Sequence, residues 1–431
     1  MISSILDRRW TLPVLIALLL ITFAVATSID LGLQMDFANY YDAGSKIRYG
    51  EIGNLFDRFA WIHGHPPQGN YSFVAIPISA YLYVPMAMLS PRAAMLAFKF
   101  QNTLAYLAGF LLLFAHCHQF AGSAPAEQRR FATLFVLLAL LYQPFWFGYR
   151  LGGQTTPTAF LCFVLALLCY HKEKYFLAAL PLVFIIVIKP GFAIVVALLA
   201  LLSGLRFLLY IATLSLAAGG LSLAVLGLAP HLEFLKYSKL HSTTPILFWG
   251  NSSFTLILEN LRYWSFTHDR PGLVPVLDWA RIAIALALAA SFFWLVFQSR
   301  SAIPDKRGRL HFQYLAALCF GLMLLPVAWD HYLAIIFIPL AYIVACRREF
   351  SAGAMALVAA MVTLPVARNL VYVFWTQYHF DADSWPVLVF MGLSKSVPLL
   401  LMAVFIQRHY RSWFSTYARY TDSCLSCSRP S

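Results

Sequence analysis

The chain repeats one pattern from end to end: apolar runs of roughly membrane-crossing length, separated by short polar breaks. The runs occupy Trp10–Leu33, Phe73–Leu89, Ala93–Ala115, Phe131–Tyr149, Thr155–Tyr170 and Tyr175–Leu202. They continue at Phe207–Leu228, Trp279–Phe297, Tyr314–Val327, Tyr332–Ala345, Ala352–Trp375 and Val387–Ile406, twelve in all. A hydrocarbon core about 30 Å thick is crossed by ~20 helical residues. Inside it every backbone N–H and C=O must pair within the protein, which favours helices. A transmembrane β-barrel would alternate polar and apolar residues, and stretches such as Phe192–Leu202 do not. Charged residues make up 11% of the chain, against about 25% in soluble domains. The sequence predicts an all-α polytopic membrane protein with about 12 transmembrane helices, one integral unit over residues 1–431.

The formal net charge is +13, from 31 basic and 18 acidic residues. No basic, aromatic-interleaved face accompanies it, so nucleic acid is not the expected partner. Basic residues instead accumulate in cytoplasmic loops. Arg8 and Arg9, then Arg300, Lys306, Arg307 and Arg309, then Arg347 and Arg348, then Arg408, Arg411 and Arg419 fall on one side if spans alternate. Both termini are then cytoplasmic, with residues 408–431 a tail. The apolar run behind Arg8 and Arg9 has no clean small-residue cleavage site and reads as a retained first helix rather than a signal peptide. Strict alternation also puts Arg129-Arg130 and His171–Lys174 outside, against the bias. The sixth run is broken at Lys189-Pro190-Gly191. It is either one bent helix or a hairpin of two short ones over 176–204. The hairpin moves those loops inside, provided the region after Tyr71 enters and returns without crossing.

Two long loops then lie outside, Gln34–Ser72 and Ala229–Asp278. The second is rich in aromatics, from Phe234 to Phe266, which suit either a membrane interface or a stacking platform. The seven cysteines form no disulfide framework, and the Cys424–Cys427 pair has no second ligand pair for zinc.

The candidate chemistry sits at the breaks. Asp36 and Asp42 lie where the first run ends, six residues apart and so on different helix faces. An acid there can act as a general base, or belong to a solvated acidic loop with Asp30, Glu51 and Asp57. Lys189 interrupts an apolar run, where a cation needs a partner or a cavity. A phosphate would suit it, as would snorkelling to the interface. Trp329-Asp330-His331-Tyr332 offers a histidine for a phosphate or a proton relay, or an aromatic belt. Gly152-Gly153-Gln154 and Gly250-Asn251-Ser252 are short polar breaks. Asp381-Ala382-Asp383 is a DxD tripeptide in an outer loop, where nucleotide sugars are absent.

In this order the elements resemble glycosyltransferase family 87, a GT-C-type membrane family. Asp36-Phe37-Ala38-Asn39-Tyr40 is similar to its Asp-aromatic-x-x-Tyr element, Gly152-Gly153-Gln154 to Leu-Gly-Gln, and Ile188-Lys189-Pro190 to Ile-Lys-Pro. Pro326–His331 is similar to Pro-x-x-Trp-x-His, and Asn251-Ser252-Ser253 partly to Asn-Gln-Ser. The family's Tyr-Pro-Pro has only Ala75-Ile76-Pro77 or the upstream His65-Pro66-Pro67 in its place, and serine replaces glutamine at 252. The resemblance implies a GT-C-type fold whose first outer loop, 34–72, is catalytic. It implies transfer of one sugar, mannose favoured and a pentose possible, from a polyprenyl-phosphate donor to a glycolipid or glycan hydroxyl, with inversion. The site would face the periplasm from a bacterial inner membrane. Asp36 would be the base, and Lys189 and His331 would hold the donor phosphate. Tyr40, Asp42, Gln154, Asn251 and Trp329 would be substrate-site candidates, with no metal or cofactor required. A lipid-linked-sugar flippase or transporter, or a polyprenyl-linked glycan polymerase or ligase, is the competing reading.

Overall fold

The computed structural model describes residues 9–29, 35–56, 73–150, 153–243, 253–303, 305–325, 328–363, 393 and 397–409. Asn251, the Asp381–Asp383 tripeptide, the Cys424–Cys427 pair and most of the tail lie outside these residues. Within them the chain is helical, with no β-strand element. Four helices are long and apolar enough to cross a membrane: Thr11–Ser28, Pro91–His118, Leu205–Leu226 and Leu273–Ala302. The pair Pro125–Leu141 and Gln143–Tyr149, bent by 46°, makes a fifth if taken as one span. The further crossings expected from the sequence rest on shorter apolar helices, among them Thr156–Tyr170, Tyr175–Ile188 and Asp330–Ala345. Less than a fifth of Thr11–Ser28, Leu205–Leu226 and Leu273–Ala302 is buried. They turn apolar side chains outward, as lipid-facing helices do, whereas Thr156–Tyr170 is packed on most sides.

The over-long sixth run is a hairpin. Helix Tyr175–Ile188 stops at Lys189, whose φ of −145° and ψ of 79° leave the helical region. Pro190 disfavours helix at the preceding residue and has no N–H to donate. The chain then turns into Pro190–Leu202. Its return is fixed by the ends: the Tyr170 hydroxyl bonds the Ser203 hydroxyl, and the rings of Tyr175 and Phe207 lie 5.5 Å apart. Both arms therefore start and finish at one end of the bundle, and Lys189 sits at the tip.

That end is basic. Glu127 binds Arg347 and Arg348, each at 2.5 Å, and Lys306 pairs with Glu173. His116 and His311 approach to 3.2 Å through their Nε2 atoms. The loops around residues 120–130, 171–174, 303–309 and 346–350 thus gather on one side, which strict alternation of twelve spans forbids. The balancing difference is Phe73–Leu89, which holds no helix long enough to cross a membrane. It forms a 3₁₀ helix, Pro77–Tyr83, and a single α turn, Val84–Ala87. Prolines 77 and 85 interrupt what apolarity alone reads as a span. The segment stays at the other end, where Ile76 N donates to Val187 O at 3.2 Å.

The end opposite the basic one carries the helix Met35–Arg48. It lies on the Pro77–Ala87 segment so closely that a Cβ on Gly44 would strike the Tyr83 backbone. Tyr41 donates to Leu89 O and Arg48 to Ala87 O, both at 2.9 Å. Lys99, buried in Pro91–His118, donates to Ala26 O and Ile29 O. A cation on the last carbonyls of Thr11–Ser28 complements the helix dipole and fixes where the chain leaves that helix. Phe56 meets Phe234 at 6.0 Å, so the two long loops touch at this end.

The hairpin has a direct check. Lys172→Cys and Arg307→Cys, both at exposed positions, are expected to react with a membrane-impermeant thiol reagent from the same side of sealed vesicles. Labelling from opposite sides would break the hairpin assignment.

Candidate active site

Four separated stretches meet at the hairpin tip. Helix Pro91–His118 supplies Asn102, whose Nδ2 donates to the Gln154 carbonyl at 3.0 Å. Gln154 N donates in turn to Gly148 O at 3.2 Å. Gly153 adopts φ +59°, a left-handed conformation that glycine takes at little cost, and a Cβ there would stand 2.7 Å from that of Phe37. Phe37 is the neighbour of Asp36. The Gly-Gln pair therefore does two things: it lets the Asp36 helix approach, and it clamps the glutamine backbone.

The Gln154 side chain is the hub. Its Oε1 accepts from Lys189 Nζ at 2.6 Å and from the Tyr40 hydroxyl at 3.5 Å. Its amide nitrogen is then left to donate to the Asp36 carboxylate, with which it is hydrogen-bonded. Lys189, 5% exposed, also donates to His331 Nε2 at 3.3 Å. That role makes Nε2 the acceptor and puts the imidazole proton on Nδ1. The Lys189 ammonium stands 4.8 Å from the Tyr332 ring centroid, a cation–π contact. Gly148 and Gly191 allow the approach: a Cβ on the first would collide with His331 Cβ at 2.5 Å, and one on the second would press on the Tyr332 ring at 3.3 Å.

Asp36 is half-buried at the start of its helix, outside the membrane-spanning helices. Lys189 alone would hold its carboxyl low. Burial outweighs that attraction and the Gln154 hydrogen bond, and lifts the carboxyl to about 6. The acid is still ionised at neutral pH, but it is a stronger base than an exposed aspartate.

Of the residues singled out in the sequence, the structure brings Asp36, Tyr40, Gln154, Lys189 and His331 together. Trp329 lies parallel to His331, with ring centroids 6.5 Å apart. Asp42 is elsewhere: it pairs at 2.7 Å with Lys46, which is fully buried, on another face of the helix. Asn102 and Tyr83 join the site from outside the sequence motifs; Tyr83 stacks on Tyr40 at 4.7 Å. Lys99, Asn102 and Thr103 share one helix face inside an apolar run, and that spacing is their signal in the sequence. Among the described residues, no group of three or more His, Cys, Asp or Glu is placed to hold a metal ion.

Residues 73–326, more than half of the chain, match glycosyltransferase family 87. The chain belongs to that family. It is therefore a membrane glycosyltransferase. The family 87 match includes Gln154 and Lys189, while Asp36, Tyr40 and His331 join them through the geometry above. No curated protein and no solved structure matches the chain.

The left-handed backbone at Gly153 is a test of how family 87 geometry is built here. Gly153→Ala is expected to cost about 1–2 kcal/mol from backbone strain alone and to displace Phe37. Denaturation in detergent and sugar transfer, measured together, should both fall. An unchanged variant would show that the close approach is dispensable.

Proposed function

We infer that this family 87 enzyme transfers a single sugar from a polyprenyl-phosphate donor to a hydroxyl of a glycolipid or glycan, with inversion. The observation that carries the reading is one base and one cation joined through one glutamine: Asp36 and Lys189 on opposite sides of Gln154. An acceptor hydroxyl attacking an anomeric carbon must lose a proton, and the departing phosphate must be stabilised. Asp36 takes the proton, within hydrogen-bond reach of the acceptor. Lys189 and His331 face the departing phosphate, in a site where burial strengthens their effect. Inversion follows if the acceptor held by Asp36 attacks opposite the phosphate held by Lys189. Tyr40 and Trp329 flank the acid and the histidine as substrate contacts. Mannose is the favoured sugar.

The same reading assigns the sides of the membrane. The basic end faces the cytoplasm, and the site end opens to the periplasm of a bacterial inner membrane. The remaining apolar helices complete a GT-C-type bundle of about twelve. Loops 34–72 and 229–278 then lie on the outer face together, and the Phe56–Phe234 contact supports this.

Asp36→Asn keeps shape and hydrogen bonding but cannot accept a proton. Transfer is expected to fall by about a hundred- to ten-thousand-fold, with donor binding retained in a nanodisc assay. Near-normal turnover would remove Asp36 as the base. Asp42→Asn is expected to lower stability by about 1–3 kcal/mol, because it weakens the partnering of buried Lys46. Turnover per folded molecule should stay near that of the parent.

The raised carboxyl sets a pH dependence. Above about pH 6 Asp36 is a carboxylate and can act as base; below that it is protonated and cannot. The kcat/KM profile should carry an acidic limb near pH 6, absent from the residual activity of Asp36→Asn. A limb near pH 4 would contradict the burial argument.

A further inference from the structure

The packing around Gln154 leaves buried polar atoms unsatisfied. Thr156 Oγ1 is fully buried and has no hydrogen-bond partner. Thr155 Oγ1, also buried, lies near the Tyr40 phenol without a well-formed hydrogen bond to it. Buried polar atoms without partners are few in native proteins, so adjacent ones point to an occupant. Asn102 Oδ1 is a third, but it is an acceptor and suits a water or a sugar hydroxyl.

Both hydroxyls stand at the start of helix Thr156–Tyr170, which no side chain caps. Its first intrahelical bond runs from Ala159 N to Thr155 O at 3.0 Å. The N–H groups of Thr156 and Thr158 therefore have no partner within the helix, and Pro157 has none to offer. This end carries the positive pole of the helix.

Its direction is fixed by the residues below it. Phe160 and Phe163 follow Thr156 by four and seven positions and share its face. Phe160 lies among Phe145, Phe110, Tyr106 and Phe337, at 5.3, 5.5, 5.8 and 6.1 Å, and Phe163 meets Phe192 at 5.3 Å. Phe192 lies 4.7 Å from Tyr332, the neighbour of His331. The helix thus sets its Phe163 face against the hairpin that carries Lys189, its start directly follows Gln154, which holds that lysine, and Thr155 lies beside Tyr40.

We propose that the phosphate of the lipid-linked donor is seated on this helix end. Thr155 and Thr156 donate their hydroxyls and the first turn its free N–H groups, opposite Lys189 and His331. Each of these groups can donate and Lys189 is a cation, which suits an anionic phosphate ester. The site favours the monoester over the diester, because the released monoester gains negative charge as the sugar departs. The helix end therefore binds the leaving group more tightly than the substrate, which is what lowers a barrier. The proposal rests on the phosphate-binding reading of Lys189 and His331.

The test uses the full chain in nanodiscs, with geranylgeranyl monophosphate as probe and geranylgeraniol as its uncharged control. Thr155→Val and Thr156→Val are each expected to weaken monophosphate binding about tenfold and to leave alcohol binding unchanged. Thr156→Ser should retain parental binding, since it keeps the hydroxyl. Lys189→Gln separates the two readings. If it loses monophosphate binding while both valine variants bind as the parent does, the helix-end site is overturned and the lysine role stands. If all three bind as the parent does, both fail. Equal loss of monophosphate and alcohol in the valine variants also overturns the proposal, because the hydroxyls would then be supporting the fold rather than the phosphate.

Discussion

A buried cation governs this structure. Lys189 lies at the tip of a hairpin of apolar helices, where an unpartnered ammonium would be costly. It can remain there because Gln154, His331, the Tyr332 ring and the charge of Asp36 surround it. These partners come from three separate stretches of the chain. Satisfying one charge therefore fixes the depth of the hairpin, the approach of Asp330–Ile336 and the seat of Met35–Arg48. The glycines at 148, 153 and 191 follow from the same demand, since each stands where a side chain would push a partner away. Buried charge gives the fold its register here more than it gives net stability, because desolvation offsets much of the attraction.

The sequence shows individual polar residues at breaks in apolarity, and these were legible. Asp36, Lys189 and His331 each interrupt or bound an apolar run, so their cost marks them. What the sequence does not show is connection. Gln154 reads as one weak polar residue after two glycines, yet it is the atom-by-atom link between acid and cation. Its role depends on the turn at Gly153 and on Asn102, about fifty residues earlier. The fold divides in the same way. Apolar length identifies the long helices, but it cannot tell a crossing from a re-entrant arm. Phe73–Leu89 is apolar enough to span and is broken by its prolines. The hairpin was an open alternative, because Lys189-Pro190 permits a kink as readily as a reversal. Only the pairing of chain ends, Tyr170 with Ser203 and Glu173 with Lys306, decides between them.

Exposed and sheltered charges act by different physics, and the basic end holds both kinds, since Glu127 and Arg347 are sheltered there. At the basic end Lys306 and Glu173 are largely exposed. Such a pair contributes at most about 1 kcal/mol, so its interest is positional. At the site end Lys46 and Asp42 are sheltered and Lys189 is nearly enclosed. Charges there act at short range with little screening, which is the condition for steering a proton or a phosphate. The abundance of cations in the composition belongs mostly to the first kind. The proposed chemistry draws on two or three members of the second.

The hairpin also sets how deep the reaction lies. Helix Tyr175–Ile188 is fourteen residues long, about 21 Å at 1.5 Å per residue. A hydrocarbon core is about 30 Å thick, so a tip reached from the basic end stops short of the far interface. On the proposed reading, a lipid-borne phosphate, whose natural level is that interface, must be drawn inward to reach Lys189. The cost of removing it from water then has to be offset where it arrives. Ammonium, imidazole and an uncapped helix end would supply that offset without moving, since packing already holds them. On the same reading depth has a chemical consequence: it would exclude water from the reacting carbon while leaving half-buried Asp36 near enough to the rim to meet an acceptor hydroxyl.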